Sequence, residues 1–98
     1  MIRKFSILKR LYTNIAPLNP QYTLGEKIIH EKLATALEAP KLNVKDISGG
    51  CGSMYAVEIH SPKFKGKNLV TQHRMVSDVI KDEIKEMHGI QIKTHVHE

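Results

Sequence analysis

Apolar positions recur along this chain with two different periods, and the changes of period mark out five elements. Ile29, Leu33, Ala36 and Leu37 stand at i, i+4, i+7 and i+8, the spacing of one helix face. Thr23-Leu24-Gly25-Glu26 precedes them with the hydroxyl and the carboxylate of a capping box. Helix is therefore predicted from the Thr23 cap to about Glu38, where Pro40 closes it, because a proline drives the residue before it out of the helical region. Leu42 to Ser48 reads as a weak strand, and Gly49-Gly50-Cys51-Gly52 as a loop with almost no bulk except a thiol. Tyr55, Val57 and Ile59 alternate with Ala56, Glu58 and His60, a strand buried on one face. Ser61-Pro62 ends it, and Lys63–Lys67 forms a basic loop with room for a short helical turn. From Leu69 to His88 the helical period returns: Val76, Ile80, Ile84 and Met87 share a narrow sector, which His73 joins. Gly89 is placed to stop that helix, and Ile90 and Ile92 alternate with Gln91 and Lys93 in a last strand.

The order α-β-β-α-β predicts an α+β fold: a small three-stranded mixed sheet with the helices on one face. The closing strand–helix–strand unit is expected as a right-handed parallel crossover.

Length confines this to one small domain. Ninety-eight residues bury about 60% of the surface the unfolded chain exposes, enough for one modest core but for no deep enclosed pocket. The apolar share of 41% and charged share of 26% are those of a soluble globular protein, and no apolar run approaches the ~20 residues of a membrane span. Cys51 is the only cysteine, which excludes a disulfide framework.

The net charge of +5 points to nucleic acid until its distribution is considered. Arg3, Lys4, Lys9 and Arg10 lie in the first ten residues, and no acidic residue precedes Glu26. Fifteen basic residues less those four leave eleven against ten acidic, so the body is nearly neutral. The first segment, with Phe5, Leu8 and Tyr12 at helical spacing, has the make-up of a mitochondrial transit peptide over residues 1–12. Arg10 stands three residues before an expected cut after Tyr12. A nucleic-acid arm or a solvated basic tail is the alternative. Residues 13–22, with Pro17 and Pro20, read as a linker, and residues 23–98 as the domain.

Several landmarks within that domain resemble one family. Phe64-Lys65-Gly66-Lys67, Gln72-His73-Arg74-Met75-Val76, Glu83-Ile84 and His88-Gly89-Ile90-Gln91-Ile92-Lys93-Thr94 follow the order of the BolA signature, over roughly Thr23–Thr94. Gly49-Gly50-Cys51-Gly52 with Ser53-Met54-Tyr55 is further similar to the mitochondrial branch of the family. The resemblance implies a fold like the class II KH domain and a place in the mitochondrial matrix. It also implies non-catalytic work with a monothiol glutaredoxin and an Nfu-type cluster carrier, supporting [4Fe–4S] insertion into clients such as lipoyl synthase and succinate dehydrogenase.

The chemistry available agrees with a shared centre. A [2Fe–2S] cluster needs four thiolate or imidazole ligands, and one cysteine with six histidines cannot supply a Cys₄ or Cys₂His₂ set. The chain offers half a site, which a glutaredoxin with bound glutathione would complete with two sulfurs. Cys51 is the expected thiolate, because glycine neighbours let a partner approach closely; the alternative is a cysteine that merely packs. His88 is the expected imidazole from its match to the family's helix-ending histidine. A helix C-terminus there would favour the cationic ring, which cannot bind metal, and the alternative is a capping histidine. His73 is a second-choice ligand, more often a hydrogen-bonded structural residue in such a stripe. Arg74, Gly50, Gly52 and Gly89 are the expected partner contacts. His95 and His97 alternate on one face near the end and could chelate a metal adventitiously, but read as a terminal tail, and His30 and His60 have no constellation around them.

Two other classes compete. Gly49-Gly50-Cys51-Gly52 spells the GXXG of a KH nucleic-acid clamp, but it falls between strands and lacks flanking Lys or Arg. An enzyme drawn from Cys51 with His73 or His88 lacks a third orienting group and a cleft.

Overall fold

A computed structural model describes residues 15–98; the expected transit peptide and the first two residues of the expected linker lie outside them. Helix α1 covers Leu24–Ala36, strand β1 Lys41–Asp46, strand β2 Met54–Ser61, helix α2 Leu69–Val79, helix α3 Lys81–Ile84 and strand β3 Gly89–Val96. A 3-10 turn at Pro62–Phe64 supplies the short helical turn expected before the second long helix.

The sheet has the order β1-β2-β3. β1 runs antiparallel to β2, and β2 runs parallel to β3, as the crossover through α2 requires. Alternation along the strands divides the sheet. Val44, Tyr55, Val57 and Ile59 are buried on one face, where they join Ile29, Leu33 and Leu37 of the α1 segment and Val76 and Ile80 of the α2 segment. Phe64, brought in by the 3-10 turn, is fully buried in the same core. Lys41, Asn43, Lys45, Glu58, Gln91 and Lys93 alternate with these and stay exposed, so the other face is polar.

The capping box at Thr23 forms as the spacing predicts. Thr23 Oγ1 accepts from Glu26 N at 3.2 Å, and Glu26 Oε1 accepts from Thr23 N at 2.7 Å. The helix ends two residues before the predicted boundary, through a Schellman turn. Glu38 adopts φ 47°, and the Ala39 amide bonds back to Ala34 O at 3.1 Å.

The predicted helix from Leu69 to His88 is broken at Ile80, which has φ −112°. Ile80 is fully buried, and Ile84 and Met87 still pack against the core, so the apolar stripe persists across a break that no Pro or Gly announces. His88 lies outside any helix. Its amide, which a longer helix would give to Ile84, bonds to Ser53 O at 2.6 Å, where pairing with β2 begins. Gly89 correspondingly opens β3 instead of capping a helix, and it is not among the glycines with positive φ.

Residues 15–22 carry no helix or strand, yet Ala16 is buried. Its amide bonds to Ala39 O at 2.7 Å, its carbonyl meets His30 Nε2 at 3.0 Å, and the Tyr22 hydroxyl accepts from Val44 N at 3.1 Å. No helix among the described residues is long and apolar enough to cross a membrane.

Candidate functional site

The loop joining β1 to β2 is organised by the carboxylate at its start. Asp46 Oδ1 accepts from Ser48 N at 2.8 Å and from Ser48 Oγ at 2.5 Å. Asp46 Oδ2 accepts from Gly52 N at 3.0 Å. Ser48 Oγ in turn accepts from Ser53 N at 3.2 Å. These bonds favour the ionised form, and the Ser48 hydroxyl above all, then the Ser48 amide, holds the Asp46 carboxyl below its usual range. Gly49 and Gly50, at φ 82° and 99°, occupy backbone that a side chain would strain, and open space surrounds both.

Tyr55 supports this loop from beneath. It is buried, and a Cβ built on Gly52 would stand 3.3 Å from its hydroxyl. Burial first, then the negative charges of Asp46 and Glu26, raise the phenol above its ordinary value. Glu26 joins the loop's base to α1, since its Oε2 accepts from Asp46 N at 2.8 Å while its Oε1 completes the capping box.

Cys51 rides on top of this frame. It is a free, exposed cysteine, and its thiol donates to Ser48 O at 3.0 Å. Ser53, two residues on, takes the amides of both His88 and Gly89 on its carbonyl, at 2.6 and 3.3 Å. Cys51 and His88 are thus brought to the same end of the sheet, the first from the loop entering β2 and the second from the residue before β3. His88 is exposed. The helix-dipole effect expected to oppose metal binding there loses its force, because α3 has four residues and its cap is Lys85.

The other predicted residues are placed as follows. Gly50 is exposed, and Gly52 and Gly89 are half-buried at the same end. His73 and Arg74 sit on α2, half-buried and exposed. The buried hydrogen-bonding side chain of that helix is Gln72, whose Nε2 donates to Lys67 O at 2.8 Å and whose Oε1 accepts from Thr94 Oγ1 at 2.5 Å.

Two readings of histidines are corrected. His95 belongs to β3 and not to a tail, and His60 has a constellation around it. The two rings stack with centroids 4.4 Å apart and 19° between planes, and His95 Nε2 meets Glu58 Oε2 at 2.9 Å. Burial first, then the neighbouring His95 and Lys41, hold the His60 ring below its ordinary 6.5. Sequence reasoning also passed over Asp46, Ser48 and Tyr55 as organisers of the loop. Asp46-Ile47-Ser48 ahead of the glycines carries the signal, since Asp and Ser fold their side chains onto nearby backbone amides.

As a donor set, the loop end of the sheet presents one accessible thiol and one accessible imidazole. That is two of the four ligands an iron–sulfur cluster takes, and both side chains are exposed.

Comparison with known proteins follows the same residues. The family model described as "BolA-like protein" matches residues 26–98. BolA-like protein 3 of Saccharomyces cerevisiae is 46% identical over 72 residues, 74% of this chain and 61% of the relative. BolA-like protein 3 of Homo sapiens is 50% identical over 70 residues, 71% of this chain and 63% of the relative. An uncharacterised BolA-like protein of Schizosaccharomyces pombe is 44% identical over 90 residues, 92% of this chain and 70% of the relative. Among solved structures, the BolA domain of SufE1 from Arabidopsis thaliana superposes with a TM-score of 0.71 at 30% identity, covering 76% of this chain and 94% of that one. A bol-like protein from Babesia bovis gives 0.68 at 32%, covering 79% and 90%. With the parallel β2–β3 pair, the loop thiol and the histidine before β3 all inside the matched span, the chain belongs to the BolA family.

Proposed function

We propose that this protein is a non-catalytic adaptor of the mitochondrial matrix that shares an iron–sulfur cluster with a monothiol glutaredoxin. Cys51 and His88 supply its half of the ligands. The carrying observation is the pair of bonds from the His88 and Gly89 amides to Ser53 O, which fastens the imidazole's backbone to the loop that holds the thiol. The cluster is cargo. The chain holds two ligands at an exposed edge, and glutaredoxin with its glutathione supplies two sulfurs. Because the donor set closes only in the complex, the cluster can leave when the partners separate, as suits delivery through an Nfu-type carrier to [4Fe–4S] clients. Basic, acid-free residues 1–12 support the compartment. Gly50, where a side chain would point into open space, leaves the edge low enough for a partner's backbone, whereas the missing side chains of Gly52 and Gly89 make room for Tyr55 and Met54. Arg74, exposed on α2, offers a charged contact.

The test is reconstitution of the chain with a monothiol glutaredoxin, glutathione, iron and sulfide. A coloured heterodimer is expected on gel filtration. Cys51→Ala and His88→Ala should each alter its visible spectrum, and an unaltered spectrum in both would refute the ligand assignment.

A further inference from the structure

The open face of the sheet holds a second group of donors. We propose that Glu58, His60 and His95 form a binding site for a divalent cation of the zinc class, separate from the Cys51–His88 edge. The strands create the grouping. His60 and His95 are directly opposed in the parallel β2–β3 register, and Glu58 lies two residues before His60, hence on the same face of β2. One donor atom from each lies within 4.8 Å of the other two. Tetrahedral zinc, with ligands at about 2.0–2.1 Å, holds its donors about 3.3 Å apart. The group therefore has to close by roughly 1.5 Å, within reach of side chains at the surface: His95 and Glu58 are 40% and 47% exposed.

The set of two imidazoles and one carboxylate is a known zinc set that leaves a fourth position for water. The rings stack at 4.4 Å with 19° between their planes, so one ring has to turn out of the stack before both nitrogens can aim at one ion. The His95–Glu58 contact at 2.9 Å already holds the carboxylate beside them. Lys41, opposite His60 on β1, and Lys93, opposite Glu58 on β3, face the same surface and oppose a cation, while His97 lies two residues beyond His95. The position lies six residues along β2 from Met54, about 20 Å at 3.3 Å per residue, and Met54 is where the Cys51 loop enters the strand. A cation here would staple the end of β2 to the end of β3 without touching the cluster ligands.

The experiment titrates Zn²⁺ alone into the tag-free, metal-stripped full chain against a chromophoric chelator, with imidazole NMR signals followed in parallel. One equivalent is expected to bind, shifting His60 and His95. Loss of a mere outer partner weakens metal sites 10–100-fold, so His60→Ala, His95→Ala and Glu58→Gln should each weaken binding by about 100-fold. The double variant Cys51→Ala/His88→Ala should bind zinc as the natural chain does. Failure of the natural chain to bind, unchanged affinity in the three single variants, or loss of the equivalent in the double variant would overturn the proposal.

Discussion

Gly25→Ala tests whether the Cys51 loop rests on a rigid tyrosine. A Cβ on Gly25 would stand 2.0 Å from the Tyr55 hydroxyl and 3.2 Å from its Cζ. Tyr55 is 5% exposed, with Gly52 packed against the same hydroxyl, so the ring has little room to swing aside. Overpacking of this kind costs about 1–3 kcal/mol. Alanine in place of glycine returns at most about 1 kcal/mol of helix propensity. The expected net loss is about 1–2 kcal/mol, which is roughly 4–16 °C in a domain of this size. In a Tyr55→Phe background the hydroxyl is gone but the helix-propensity gain remains, so the same substitution should be neutral or stabilising by up to about 1 kcal/mol. A coupling energy of about 1–3 kcal/mol results, the overpacking cost itself, within the 0.5–3 found for residues in contact. Urea denaturation of the four proteins at a common m-value measures it. Additive costs, or a stabilising Gly25→Ala in the natural chain, would refute the reasoning.

Three further outcomes follow from the same geometry. Tyr55 should titrate above its ordinary 10.0; its stabilising effect is complete below that value and declines as pH rises toward the folded one. Absorbance titration should show a late tyrosine that Tyr55→Phe removes. Glu38→Gly should stabilise by about 1 kcal/mol, because a side chain in the left-handed region costs about 1–2, while the exposed Lys63 contact it gives up at 3.6 Å is worth little; thermal melting would read it. Asp46→Ala should speed hydrogen exchange at the Gly52 amide and modification of the Cys51 thiol. In the natural chain that protection should persist above the usual carboxylate range and fade only as pH falls through a lower value, since the folded pKa is depressed.

The sequence made the elements legible wherever period and punctuation agreed. Thr23 and Glu26 announced their capping box, and Tyr55, Val57 and Ile59 the central strand. What it hid was decided by contacts from elsewhere in the chain. Ile80 leaves the helical conformation with no breaker beside it, and His88 is drawn out of the helix because Ser53, thirty-five residues earlier, takes its amide. His30 showed no motif because its partner, the Ala16 carbonyl, belongs to a segment without helix or strand. His60 and His95 looked unconnected because parallel register, unlike a hairpin's, cannot be counted across a connection of this length. Cys51 and His88 were both named from sequence; that they share one end of the sheet came from the β2–β3 pairing.

Pulsed electron paramagnetic resonance on the reduced cluster complex tests the half-site most directly. The chain is labelled with ¹⁵N only in histidine and combined with unlabelled monothiol glutaredoxin. A ¹⁵N coupling to the cluster that disappears in His88→Ala and persists in His73→Ala and His95→Ala is predicted. No histidine coupling from this chain, or one that survives His88→Ala, would contradict the account.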